Sequence, residues 1–127
     1  MLGYVMVGTN DLQKATQFYD VLMKPLGLVR DITEEDHVGY SATDKPKNPE
    51  FYVTLPYNRL DATPGNGTMI ALQVSSLELV EEFHRAGLEA GGQDEGKPDF
   101  RPEGANVYYA YIRDFDGNKI CAFAEQI

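Results

Sequence analysis

At 127 residues the chain is long enough for one domain or for two small modules that share a core. A chain of this length buries roughly two-thirds of the surface its unfolded form exposes, so it needs no disulfide staples. With 43% hydrophobic and 24% charged residues the composition excludes disorder. A formal charge of -9 with no basic cluster repels phosphate backbones and anionic lipid heads, so neither nucleic acid nor a membrane is an expected partner. The excess acid reads as solubility.

Cys121 is the single cysteine, which rules out an intrachain disulfide and gives no sign of a secreted scaffold. There is no basic leader with an apolar core and no apolar run long enough to cross a bilayer, so the cytoplasm is the expected compartment.

In chain order, Gly3-Tyr4-Val5-Met6-Val7 predicts a strand that closes at Gly8-Thr9-Asn10. Asn10 is expected to cap a helix whose buried stripe is Leu12, Ala15, Phe18, Tyr19 and Leu22, ended by Pro25 and Gly27. Strands follow at 28–33, 37–42 and 51–55, with Glu34-Glu35-Asp36 as the first turn and 43–49 as an exposed loop. A linker, 56–67, carries the turn signal Pro64-Gly65-Asn66-Gly67.

The pattern then begins again. Residues 69–74 read as a strand, and Ser75-x-x-Glu78 has the form of a capping box. Leu77, Val80, Phe83 and Leu88 supply an apolar helix face, and Gly91-Gly92 stops it. Residues 93–105, polar and containing Pro98 and Pro102, predict a short edge strand and a loop. Strands at 107–112 and 119–124 are joined by a hairpin turn at Asp116-Gly117. Displaced by 65 positions, Val5 falls on Ile70, Val7 on Leu72, Leu12 on Leu77, Phe18 on Phe83 and Gly27 on Gly92. Five matches under one gapless offset favour duplication over chance likeness. The expected fold is therefore α+β, a single domain over 1–127 built from two βαβββ modules, about 1–57 and about 68–127, joined by a linker at about 58–67. One helix per module covers one face of its strands, and the two open faces are expected to form a cleft.

Three stretches carry a family resemblance: Gly8-Thr9-Asn10-Asp11-Leu12 leading into Phe18-Tyr19; Gly65 through Ala71; and Arg113-Asp114-x-Asp116-Gly117-Asn118-Lys119-Ile120. In these the chain resembles the vicinal oxygen chelate superfamily, which includes glyoxalase I, extradiol dioxygenases, fosfomycin-modifying enzymes and bleomycin-binding proteins. Phe115 stands where that family usually has proline. The resemblance implies a cleft with a divalent metal held by His, Gln or Glu from the strands of both modules. Carried over position by position, those ligands fall on Tyr4, Thr54, Met69 and Cys121, replaced in every case. Phenol, hydroxyl, thioether and thiol do not make a hard-cation site, so no metal or other cofactor is expected; a soft copper site at Met69 and Cys121 is the less favoured alternative.

Strand alternation places Met6 beside Tyr4, Tyr52 beside Thr54, Gln73 on the face of Met69, and Phe123 and Glu125 beside Cys121. The set Tyr4, Met6, Tyr52, Thr54, Met69, Gln73, Cys121, Phe123 and Glu125 suits a pocket for a small aromatic or apolar ligand; plain core filling is a nearly equal alternative. No catalytic residue is singled out. Glu125 as a base and Tyr4 as a proton donor are the metal-free candidates, while His37 and His84 read as surface or boundary residues and Cys121 as a buried neutral thiol. The expected role is thus a metal-free small-molecule binder, as the bleomycin-binding relatives are. The alternatives are a glyoxalase-like lyase or isomerase or a dioxygenase with an atypical or metal-free mechanism, and a structural or partner-binding subunit. Relatives of this size often pair, so a homodimer is a further expectation from the resemblance.

Overall fold

A computed structural model describes all of residues 1–127. The chain runs β1 (Val5–Gly8), α1 (Leu12–Leu22), β2 (Leu28–Thr33), β3 (His37–Ala42), β4 (Phe51–Thr54), β5 (Ile70–Gln73), α2 (Leu77–Glu89), β6 (Gln93–Phe100), β7 (Val107–Arg113) and β8 (Lys119–Glu125). Two four-stranded sheets result, ordered β1-β4-β3-β2 and β5-β8-β7-β6. In each, the first strand pairs parallel with the last and the remaining pairs are antiparallel. This is the expected α+β arrangement of two βαβββ modules. The offset of 65 holds in three dimensions as well: β1 and β5, α1 and α2, and β2 and β6 start at residues so related. No helix is long and apolar enough to cross a membrane.

The helix caps differ from expectation by one residue each. Asp11, in extended backbone, caps α1 by accepting from Lys14 N at 3.1 Å. Asn10 is diverted: its side-chain oxygen accepts from Ala62 N at 2.7 Å in the linker. Likewise Ser76, rather than Ser75, caps α2 by accepting from Leu79 N at 3.2 Å. Both candidates in each pair are good caps, and the residue that turns extended next to the first helical turn takes the role. After Met23 a short 3₁₀ turn, Lys24–Leu26, leads to Gly27, whose φ of 74° lets the chain enter β2.

The stripe on α1 buries Ala15, Phe18, Tyr19 and Leu22 as expected. On α2, Val80 and Phe83 are buried, but Leu88 is exposed and the buried positions continue at His84 and Gly87. Gly87 sits so close to β7 that an added Cβ would lie 2.8 Å from Ile112 Cγ1, so the helix axis approaches the sheet where no side chain intervenes. One apolar cluster joins both modules, with Phe18, Leu22, Phe51 and Val53 from the first and Phe83, Ile112 and Ile120 from the second.

The β7–β8 turn is the clasp between modules. The Asp114 carboxylate, itself buried, accepts from Asp116 N, Asn118 N, Asn118 Nδ2 and, at 2.5 Å, the Tyr19 hydroxyl of α1. Asn118 Nδ2 also donates to Gly8 O at 2.9 Å, and Asp116 accepts from Asn10 N at 2.9 Å. Phe115 packs edge-on to Phe18, with centroids 5.5 Å apart, under the Lys14 ammonium. Proline could not make that aromatic contact.

Candidate functional site

Alternation along the strands divides each sheet into a helix-covered face and an open face. In the first sheet Val7, Phe51, Val53, Val38 and Tyr40 turn inward and are buried. The open face carries two register rows, Met6–Tyr52–Gly39 and Gly8–Thr54–His37. Gly39 has a steric reason: a Cβ there would lie 2.8 Å from Pro49 and 3.0 Å from Tyr52 Cε1, so the Tyr52 ring lies over bare backbone. Tyr4 meets Tyr52 edge-on at 4.9 Å. Tyr4, Met6, Tyr52, Thr54 and His37 line a cavity of about 360 Å³.

The second sheet repeats the arrangement with rows Ala71–Cys121–Tyr111–Gly96 and Gln73–Phe123–Tyr109–Asp99. Tyr109 stacks on Tyr111 at 6.0 Å and on Phe123 at 5.6 Å, making a continuous aromatic strip. The Arg101 guanidinium and the Lys119 ammonium each stand 5.1 Å from the Tyr111 ring centroid. Neither cation is paired with a carboxylate; Arg101 instead donates to the carbonyls of Tyr109 and Lys97. Cys121 is fully buried, and burial pushes its thiol up to about 11. Burial likewise raises the Tyr111 phenol.

Where the edge strands β1 and β5 approach each other, Tyr4, Val5, Met69 and Ala71 help line a cavity of about 300 Å³. Gln73 lines a smaller one of about 230 Å³ with Leu28 and Phe51. Of the nine residues expected from the sequence, Tyr4, Met6, Tyr52 and Thr54 therefore share one cavity, and Tyr4 and Met69 share a second. Cys121, Phe123 and Glu125 border none of these cavities: Cys121 is covered, Phe123 belongs to the aromatic strip, and Glu125 is exposed at the strand end.

Tyr109, Tyr111 and His37 stand on the open faces beside the expected residues, and Arg101 stands over Tyr111, although the sequence reading did not place them there. For the two tyrosines a signal existed, because a hairpin centred on the Asp116-Gly117 turn pairs 111 with 121 and 109 with 123. His84 is also a correction to the boundary reading. It is buried, with Nε2 2.9 Å from Asp94 Oδ1, and this contact is the main cause of a lowered Asp94 carboxyl.

The residues at the family's metal positions do not suit a hard cation. Thr54 Oγ1 is engaged with the carbonyls of Leu55 at 2.7 Å and Asp36 at 3.2 Å, Cys121 is held as a neutral thiol, and Met69 offers only a thioether. No three His, Cys, Asp or Glu side chains converge into a candidate metal cluster elsewhere in the chain.

Two βαβββ modules, each with one helix-covered and one open sheet face, define the fold class. The chain belongs to the Glyoxalase/Bleomycin resistance protein/Dioxygenase superfamily, whose model matches residues 1–122. Among solved structures it is similar to a glyoxalase/bleomycin resistance protein from Albidiferax ferrireducens T118, with 38% identity, a TM-score of 0.86 and coverage of 99% of each chain. A glyoxalase-related enzyme from Fulvimarina pelagi shares the fold at 19% identity and a TM-score of 0.75, over 98% of this chain and 88% of that one. The genomically encoded fosfomycin resistance protein FosX from Listeria monocytogenes does so at 18% identity and a TM-score of 0.69, over 100% and 94%. No curated protein sequence matches at a significant level.

Proposed function

We propose that this superfamily member works without a metal and binds a small aromatic or apolar molecule against the open faces of its sheets, in the cleft between its modules. The observation that carries the reading is the exchange of ligand chemistry for aromatic surface. The four positions that would hold the metal carry Tyr4, Thr54, Met69 and Cys121, while Tyr52, Tyr109, Tyr111 and Phe123 line the same faces. Aromatic walls favour planar ligands through offset and edge-to-face contacts worth about 0.5–1.5 kcal/mol each beyond burial. Arg101 and Lys119, cationic and without carboxylate partners, provide a polar end for orientation. A homodimer and a cytoplasmic location complete the proposal.

The test is elemental analysis of protein purified without chelator, followed by calorimetric titration with nickel, zinc, manganese and ferrous ions. Substoichiometric metal and no saturable binding are expected, together with thermal stabilisation by small planar aromatics. Stoichiometric metal that is lost on replacing residues of the open faces would refute the metal-free reading and favour a glyoxalase-like or dioxygenase enzyme.

A further inference from the structure

His37 lies on the open face of the first sheet, in register with Thr54 and with its ring 5.9 Å from that of Tyr52. Its Nδ1 is 2.7 Å from Asp36 Oδ1, and Arg59 donates to the other carboxylate oxygen at 3.2 Å. The Asp36 main chain is pinned as well, because its carbonyl accepts from Leu55 N at 2.9 Å and from Thr54 Oγ1. The His37 and Arg59 contacts hold the Asp36 carboxyl below the usual carboxylate range, the His37 hydrogen bond contributing most. An ionised carboxylate can only accept, so the proton of a neutral imidazole sits on Nδ1 and Nε2 is left as an acceptor. Nε2 has no hydrogen-bond partner within the protein, and His37 lines the cavity of about 360 Å³ with Tyr4 and Tyr52. Thr54, the other polar group of that row, has its hydroxyl proton committed to backbone carbonyls. A larger hollow that His37 also borders is lined by Glu34, Glu35 and Asp36 against the single cation Arg59, a net-acidic rim that disfavours anionic ligands.

We propose that the Asp36–His37 pair recognises the hydroxyl of a neutral hydroxyaromatic molecule seated against Tyr4 and Tyr52. Asp36 fixes the tautomer and the ring, His37 Nε2 accepts the ligand O–H, and the tyrosines hold the ligand ring. The assignment rests on the aromatic-ligand reading above and narrows it from any apolar ring to one carrying a hydrogen-bond donor.

The experiment titrates the full chain, ¹⁵N-labelled, with 4-methylphenol and with its methyl ether, which keeps the ring and lacks the donor. One net hydrogen bond predicts that the phenol binds about three- to tenfold more tightly. It also predicts a shift of the His37 Nε2 signal while that of the only other histidine, His84, stays in place. The preference should fall to near one in His37→Phe and should shrink in Asp36→Ala. Equal binding of the two probes by the unaltered protein, or a preference that persists in both variants, overturns hydroxyl recognition while leaving the aromatic reading intact. Binding of neither probe overturns both.

Discussion

The inter-module clasp can be tested by removing one atom. Tyr19 is fully buried, and its ring packs against Phe18 at 5.0 Å and Phe51 at 5.1 Å. Tyr19→Phe keeps those contacts and deletes only the hydroxyl that donates to Asp114 at 2.5 Å. A hydrogen bond to a charged acceptor contributes about 1.5–3 kcal/mol, and the lower half applies here because Asp114 keeps three other donors. The expected loss is therefore about 1.5–2 kcal/mol, seen in urea unfolding as a midpoint lower by roughly 1 M for an m-value of about 1–3 kcal/mol/M. Burial raises the Asp114 carboxyl and the Tyr19 bond partly offsets that rise, so the variant should push Asp114 further up, followed by carboxyl NMR. A carboxyl raised in the folded state binds its proton more tightly there, so stability falls as pH climbs from the unfolded value through the folded one, and the variant widens that window. A loss below about 0.5 kcal/mol, or strict additivity with Asp114→Asn in a double-mutant cycle, would refute the view that this bond ties the modules together.

Three further outcomes follow from the same geometry. Gly92→Ala would set a Cβ 2.8 Å from Phe18 and 2.9 Å from two backbone carbonyl oxygens that cannot give way. The overpacking should cost about 1–3 kcal/mol and lower the melting temperature by roughly 5–10 °C, measured by calorimetry. Ser76→Ala should cost about 1 kcal/mol in denaturant unfolding and Ser75→Ala under about 0.5, since only Ser76 accepts from the first turn of α2. With its thiol pushed up to about 11 and no exposed surface, Cys121 should be alkylated at pH 8 more than about a hundredfold more slowly in the native than in the unfolded protein.

Much of the architecture is legible in the order of residues because its causes are local. The strands at 28–33 and 37–42 follow from β-forming runs bounded by turn residues, and the two helices from apolar spacing and nearby stops. The offset of 65 is a property of the chain alone, and it carried the two-module fold and the equivalence of Phe18 and Phe83. The replaced metal positions are likewise a matter of residue identity, as is the clasp motif from Asp114 to Asn118.

What tertiary structure decided are the places where equivalent local choices compete or where distant segments meet. Asn10 and Asp11 are both able caps, and Asn10 is spent on Ala62 only because the linker returns to it. His84 resembles a boundary residue on α2 until β6 brings Asp94 to its ring. Leu88, expected on the apolar face, is exposed, and Gly87 is buried instead, because the helix lies too close to Ile112 for a side chain at position 87. The open faces show the limit best. Alternation gives the side of a strand to which Cys121 or Tyr52 belongs, but burial depends on what lies across the sheet. Tyr111 is the cross-strand neighbour of the covered thiol, while the β2–β3 turn and the start of β3 bring Asp36 and His37, distant in sequence from Tyr4, to the edge of its cavity. Periodicity is set within a few residues, whereas burial, partner choice and cavity lining are set by neighbours dozens of residues away.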